Sequence, residues 1–214
     1  AAGREPRHDL PGVEPIPGVV RTTLGSSEVK EAVQEMSFRS AGIFSEDLCP
    51  LDVLDGVLSS GPSSRLVRKL VREQKLVTSI STSSYTPDWG KGLFSVSFRC
   101  QPDKADQAEK AALAELALVA DRGVEPAELE RVKRQIVAGY VYSQQSVESV
   151  SSQLGHDYVT TGDAGFSRSY SDRIKAVTAE QVQAVARKYL SPDRMVITRL
   201  VPSASLPAIG AAAG

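Results

Sequence analysis

The chain has 214 residues, of which 24% are charged and 41% are hydrophobic, as in ordinary globular proteins. Its formal net charge is −1 and its pI is about 6.2, so the composition does not favour a globally basic nucleic-acid binder. No run of 18 apolar residues occurs, and the sequence therefore predicts no transmembrane helix.

The two ends of the sequence have the composition of a linker and a tail. Residues 1–18 contain four of the 12 prolines, and residues 203–214 are small and uncharged. We therefore predict a linker over 1–18, a single domain over 19–202 and a flexible tail over 203–214.

The first half of the domain predicts a strand, two helices and a β-hairpin. In chain order these are a strand over 29–39, helices over 45–60 and 65–75, and hairpin strands over 76–85 and 92–100. Pro50 near the start of the first helix, and Ser63 or Ser64 as the N-cap of the second, fit the residue preferences of helix N-termini. Period-2 alternation in both hairpin segments and the turn-forming TPDWGKG between them predict the hairpin.

The second half is mainly helical. In chain order it predicts a helix over 105–122, one from Pro126 to about Leu154, one over 166–177, one from Thr178 to about Tyr189, and a closing strand over 194–201. Gly123 ends the first of these helices, and Thr178 and Gln181 form a capping box for the last. The predicted order is β-α-α-β-β-α-α-α-α-β, an α+β fold whose mainly antiparallel sheet packs against several helices.

The number and spacing of the histidines and cysteines exclude several kinds of site. The chain has two histidines, His8 and His156, too far apart for H-E-x-x-H, H-x-x-E-H or zinc-finger patterns, so no metal site is predicted in this chain. A serine hydrolase using His156 is a minor alternative, because G-x-S-x-G is absent. Cys49 and Cys100 are interpreted as free buried thiols, with a disulfide as the alternative.

One predicted helix carries a basic stripe. Arg65, Arg68, Arg72 and Lys75 follow one another at spacings of three, four and three residues, which place them on one face of an α-helix. A solvated face is the ordinary interpretation. The alternative is a module that binds anions or nucleic acid, whose affinity would fall steeply with salt.

Three stretches match a known pattern in order and spacing. Residues 51–81 contain an L-x-x-x-L run followed by a glycine and S-S-R-L, and residues 123–136 and 177–197 match a later helix and a closing helix and strand. Together they resemble the second-type, non-catalytic domain of the pitrilysin/insulinase zinc metallopeptidases, which carry an inverted H-x-x-E-H motif.

The resemblance implies an architecture. Such proteins are built from halves of two similar α+β domains that close around a peptide chamber, with zinc held by H-x-x-E-H in the first domain. A second-type domain in the facing half can add an Arg and a Tyr that hold the substrate backbone and the developing oxyanion. Arg72 matches that Arg, and Thr78 falls in the position of the Tyr.

The resemblance therefore implies that this chain alone is not an enzyme and binds no cofactor. Zinc is expected in the parent protein or in a partner. The expected partners are a zinc-bearing homologous domain or subunit and a peptide or unfolded polypeptide, with contacts from a β edge or from Arg72. Nucleic acid is not favoured. A bacterial periplasm or an organelle is the compartment that the resemblance suggests.

Overall fold

The computed structural model describes residues 17–206, which form one mixed β-sheet with helices against one of its faces. The five strands are β1 (Val20–Ser26), β2 (Ala32–Arg39), β3 (Ser79–Tyr85), β4 (Leu93–Cys100) and β5 (Val196–Pro202). They lie in the order β1-β5-β2-β4-β3. β1 pairs parallel to β5, and all the other pairs are antiparallel.

Six α-helices and several short turns of other types complete the described part of the chain. The α-helices are α1 (Leu48–Ser59), α2 (Ala105–Arg122), α3 (Pro126–Ser143), α4 (Val147–Thr161), α5 (Tyr170–Ala176) and α6 (Ala179–Tyr189). A π-helix spans Val67–Glu73, and 3-10 turns span Pro102–Lys104, Phe166–Ser169 and Ser203–Ser205. No helix within residues 17–206 combines the length and apolar character that crossing a bilayer requires.

The core lies between the sheet and the helices. Met36, Phe38, Phe94 and Phe98 are almost completely buried and alternate along β2 and β4 with more exposed residues. This period-2 pattern directs one side of each strand toward the helices. The opposite, outer face of the sheet has no helix over it within residues 17–206, and its side chains are exposed or half-buried.

The predicted α+β class and most of the predicted elements are confirmed. The hairpin of β3 and β4 forms in antiparallel register. Gly123 ends α2 with a φ of 72°, a conformation that glycine adopts readily. Both hydrogen bonds of the capping box between Thr178 and Gln181 are present at the start of α6.

Three structural details differ from the predictions. Strand β1 was not predicted. The single helix predicted from Pro126 to Leu154 is wrong, because the chain breaks after Ser143 and α4 begins anew with the Ser146 hydroxyl accepting the Ser149 N–H. Folded structure also extends past Pro202, since Leu206 packs against the core. Of the predicted linker and tail, residues 1–16 and 207–214 lie outside the described residues.

Candidate functional site

The candidate site lies where the π-helix leads into strand β3, at one edge of the sheet. The Gln74 N–H donates to the Lys69 carbonyl at 2.9 Å, five residues back, which is the hydrogen-bond pattern of a π-turn. Leu66 and Leu70 are fully buried and hold this segment against the core. π-Turns are frequent at functional sites, and this one carries Arg72 in its last turn.

The prediction of an α-helix over 65–75 with a serine N-cap is wrong in two respects: the type of helix and the cap. The Ser64 hydroxyl donates to the Gly61 carbonyl at 2.7 Å, and neither Ser63 nor Ser64 caps the helix through its side chain. Most of the segment takes the wider π-turn, in which residues three apart no longer lie on one face. The spacing of the basic residues therefore does not define a single stripe.

Arg65 is used inside the domain. Its Nη2 donates to Glu128 Oε2 at 2.7 Å and to the Gly123 carbonyl at 3.1 Å, and both charged side chains are about 15% exposed. This ion pair joins the start of the π-helix to the start of α3. The prediction that Arg65 shares an exposed face with the other three basic residues is therefore wrong, because its tertiary partner draws it inward.

Arg68 and Arg72 differ in their partners. Arg68 Nε lies 3.5 Å from Glu73 Oε1, on the surface of the domain. Arg72 is exposed and makes no hydrogen bond or ion pair with any residue in 17–206. Its guanidinium can therefore present several donors to an external carbonyl or carboxylate. The binding role of Arg68 and Arg72 stays a prediction.

Lys75 follows the π-helix with a φ of 51°, the only positive value for a residue other than glycine within the described chain. This left-handed conformation costs an L-residue about 1–2 kcal/mol. We expect Lys75→Gly to raise the free energy of unfolding by up to about 1 kcal/mol, because glycine removes the strain but gains chain entropy when unfolded. Urea unfolding would measure it. Lys75→Ala is the control, since alanine keeps the strain and should bring no gain.

Thr78 occupies the position that the resemblance assigns to a tyrosine. Its hydroxyl donates to the Arg99 carbonyl at 3.1 Å, and its backbone N–H donates to the same oxygen at 2.8 Å. The hydroxyl is therefore already used in holding β3 to β4. A threonine hydroxyl also lacks the acidity and the reach of a phenol.

The free edge of β3 is partly closed. The N–H of Thr82, in the middle of the strand, donates to Ser59 Oγ at 3.0 Å rather than to β4. The Thr82 hydroxyl also hydrogen-bonds to Asp55, so the end of α1 lies beside this edge. A peptide adding as a continuous strand would have to compete with these bonds. Sequence reasoning missed this, because Ser59 lies 23 residues from Thr82.

The described residues do not fit a zinc site. Residues 17–206 contain no cluster of three or more His, Cys, Asp or Glu that could hold a metal ion. Cys49 and Cys100 are free and buried, and burial raises the pKa of each thiol to about 11, which keeps both protonated at neutral pH. His156 is exposed on α4. Its side chain makes no hydrogen bond to a Ser or Cys within residues 17–206.

Fold and site together define an α+β domain with one five-stranded mixed sheet and, within residues 17–206, no cluster of side chains that could hold a metal ion. The chain belongs to the peptidase M16 inactive domain family, whose sequence model matches residues 5–136. This confirms the family that the three sequence stretches indicated.

Individual relatives extend the match over most of the chain. A protein named as an uncharacterized zinc protease from Mycobacterium tuberculosis is 29% identical over 189 residues, 88% of this chain and 43% of that protein. Subunit 2 of the rat mitochondrial cytochrome b-c1 complex is 25% identical over 184 residues, 81% of this chain and 39% of that protein. A Helicobacter pylori protease structure shares the fold with a TM-score of 0.81 at 19% identity, over 88% of this chain and 46% of that one. The chain thus spans less than half the length of each.

Proposed function

We propose that this chain is the non-catalytic domain of a pitrilysin-type zinc metallopeptidase, or of an inactive homologue of one. In this role it forms part of the wall of a peptide chamber and docks a zinc-bearing domain or subunit of the same family. Membership of the inactive-domain family supports this, as does the name zinc protease for a relative that matches 88% of the chain. The respiratory-complex relative supports the inactive-homologue form of the proposal.

The observation that carries the chamber-wall role is the exposed Arg72. The guanidinium has no hydrogen-bond or ion-pair partner within the described residues, and the π-helix that carries Arg72 lies against β3. Its donors suit the carbonyl oxygens of a peptide backbone or a peptide carboxylate. Charge is favoured over strand addition at β3, because the Thr82 N–H in the middle of that edge is already bonded to Ser59.

The position of Thr78 limits what this domain contributes. The Thr78 hydroxyl donates its proton to the Arg99 carbonyl, so donating to a substrate oxyanion would require this bond to break. We therefore assign Arg72 a substrate-holding role without an aromatic hydroxyl beside it. Any metal chemistry of the assembly belongs to the partner domain.

The first test reads the whole gene and its neighbour for H-x-x-E-H. The motif in the same gene would make this chain the second domain of an active half, and the motif in the neighbour would make it part of an inactive subunit. Its absence from both would overturn the proposal. An anion- or nucleic-acid-binding module would then lead, although Arg65 is paired with Glu128 and Arg68 lies near Glu73.

Arg72→Ala is expected to lower kcat/KM of the assembled peptidase about 10-fold or more, because a hydrogen bond from a charged donor to substrate contributes about 1.5–3 kcal/mol. Affinity for a peptide that cannot be cleaved should fall in parallel, measured by fluorescence anisotropy. Thermal stability should change little, since Arg72 is exposed and has no hydrogen bond or ion pair to lose among the described residues. Arg131→Ala is the control, because within residues 17–206 the Arg131 side chain bonds to no residue other than Gln135, on the same helix α3. Equal effects of the two variants would contradict the role of Arg72.

A further inference from the structure

A cavity of about 350 Å³ lies where the start of α1 meets the helices α5 and α6. Two segments of the chain line it, one within 44–50 and the other within 173–181. Leu48 and Val177 are almost fully buried and give the cavity an apolar wall, which Phe44, 65% exposed, extends toward the solvent. A cavity of this size can take a small organic ligand.

Of the described residues that line the cavity, only Arg173 carries a positive charge. Its Nε and Nη2 are buried and have no hydrogen-bond partner within residues 17–206, whereas Nη1 is not among the buried atoms. The guanidinium carbon lies 5.0 Å from the centre of the Phe166 ring, and this ring packs edge-on against Phe44. The ring supports the guanidinium but offers it no oxygen acceptor. Because buried donors without acceptors are costly, Arg173 is suited to an acceptor that a ligand supplies through the cavity.

The carboxylates near this cavity do not supply that acceptor. Asp52 of α1 acts on Arg173 through its charge, but it accepts a hydrogen bond from Tyr170 at 2.8 Å and forms no ion pair with Arg173 in the described structure. Glu46 lines the cavity, is exposed, and has no ion pair within residues 17–206. With one arginine and two carboxylates nearby, the balance of charge favours a monoanion over a dianion such as phosphate.

A second donor also lines the cavity. Gln181 lies in the first turn of α6, and its Oε1 accepts the Thr178 N–H at 2.9 Å as part of the capping box. This bond uses the amide oxygen, so the amide Nε2 of Gln181 remains to donate to a ligand. The cavity thus combines a charged donor, a neutral donor and an apolar wall, which is the composition of a site for an amphiphilic anion.

We propose that this cavity binds a monocarboxylate with an apolar body. Arg173 and Gln181 hold the carboxylate, and the body lies against Leu48, Val177 and Phe44. A free small acid and the C-terminal residue of a peptide both carry this chemistry. None of the residues that line the cavity belongs to the π-helix or to β3, so the inference goes beyond the proposed function and does not depend on it.

The experiment titrates the 214-residue chain with three probes and follows backbone amide signals by NMR. The probes are 3-phenylpropionate, the peptide acetyl-Ala-Ala-Ala-Phe with a free carboxylate, and the same peptide with an amidated C-terminus. At least one of the two acids should bind with a dissociation constant below about 1 mM, and the shifted signals should lie within 44–50 and 173–181. The amidated peptide should bind at least about 10-fold more weakly than its acid, or not at all. Tighter binding of phenylpropionate would identify a free acid as the source, and tighter binding of the peptide acid would identify a peptide C-terminus.

Arg173→Gln should weaken binding of the acid about 10-fold or more, because it removes the charged donor. The matched control is Arg168→Gln, which removes an exposed arginine from the neighbouring 3-10 turn and should leave affinity unchanged. Urea unfolding separates binding from a structural role: Arg173→Gln should not lower stability much, since Arg173 has no hydrogen bond or ion pair to lose within residues 17–206.

Two further variants test the cavity without changing Arg173. Ala176→Trp should abolish binding, because Ala176 is exposed at the cavity and the indole fills the space without disturbing the core. Glu46→Gln should strengthen binding of the acid, because it removes a like charge, and the gain should shrink as salt is added. Failure of both acids to bind would overturn the inference. Equal binding of the peptide acid and its amide, or equal affinity of the Arg173 and Arg168 variants, would overturn it too, and each of these results would leave the proposed function standing.

Discussion

Replacing Glu109 with alanine should lower the free energy of unfolding by about 3–5 kcal/mol, because it removes the acceptor of the buried Gln34 amide and of the Arg21 guanidinium, and one of the acceptors of Arg199. The Glu109 carboxylate on α2 accepts two hydrogen bonds from Arg21 and one from Gln34, each at 2.8 Å, and a fourth from Arg199 at 3.1 Å. These partners lie on β1, β2 and β5. One carboxylate therefore joins the helix layer to three strands, and Gln34 is completely buried.

The measurement is urea unfolding of the variant and of a matched control. Asp106→Ala removes another carboxylate of α2 that pairs with Arg199, at 2.6 Å, but the Asp106 side chain is 80% exposed. Exposed ion pairs contribute about 0–1 kcal/mol, so the control should lose little. A loss below about 1 kcal/mol for Glu109→Ala would show that the network does not hold the layers together.

The hydrogen bonds of Glu109 also determine how the stability of the domain changes as the pH falls. The hydrogen bonds from Arg21 lower the pKa of the Glu109 carboxyl, outweighing the opposing effect of burial. Because the folded-state pKa lies below the unfolded one, the stabilisation is present above the ordinary pKa of 4.5 and is lost as the pH falls through the folded value. This group therefore makes the domain less stable in acid.

Local patterns account for most of the fold that could be predicted. The hairpin, the end of α2 at Gly123 and the capping box of α6 each depend on residues close together in sequence. Strand β1 carries no such signal. Its inward positions include Arg21 and Thr23 rather than apolar residues, and its partner β5 lies about 175 residues further along the chain. Because its inward residues are polar and its partner strand is remote in sequence, β1 could not be predicted from the local pattern.

The candidate site was predicted only in part, because its geometry depends on tertiary contacts. The spacing of Arg65, Arg68 and Arg72 suits a regular α-helix, and the sequence shows no glycine or proline that would reveal the π-turn. Glu128, which pairs with Arg65, lies 63 residues away. The order of the motifs, in contrast, identified the family. It does so because the order of short sequence matches along the chain does not depend on the geometry of any one helix.

The Glu109 network was missed although a signal was present. Ala105, Ala108, Ala112 and Leu116 recur at helical spacing and form the buried face of α2, and Glu109 falls on the same face. A single carboxylate within an apolar helical stripe needs a buried partner. Arg21, Gln34 and Arg199 are those partners, but their identity depends on which strands the helix covers.

Asp52→Asn is expected to stabilise the domain by about 2–3 kcal/mol at pH 8 and to have almost no effect at pH 4. Asp52 lies on α1 and accepts a hydrogen bond from the Tyr170 hydroxyl of α5 at 2.8 Å. Burial raises the pKa of the Asp52 carboxyl from 3.8 to about 6, although the bond from Tyr170 acts in the opposite direction. An asparagine keeps an oxygen to accept that bond and carries no charge.

The pH dependence follows from the direction of this shift. The folded state binds the Asp52 proton more tightly than the unfolded state, so its contribution to stability falls as the pH rises from about 4 to about 6. Each pKa unit corresponds to about 1.4 kcal/mol, which gives the expected size. Stability therefore changes with pH in opposite directions for Asp52 and Glu109. The contribution of Asp52 is isolated by subtracting the stability of the unchanged chain from that of the variant at each pH.

Urea unfolding of both proteins at pH 4, 6 and 8 measures that difference. The control, Asp172→Asn, removes an exposed carboxylate that pairs with Lys175 on α5, and it should change stability by less than about 0.5 kcal/mol throughout. A difference for Asp52→Asn that is equal at pH 4 and pH 8 would mean that the ionised carboxylate costs nothing at this position. Because α5 packs against both α1 and α3, a more stable junction between α1 and α5 should slow the local opening of α5. Amide hydrogen exchange in α5 would therefore slow in the variant at pH 8, whereas exchange in β3 would not change.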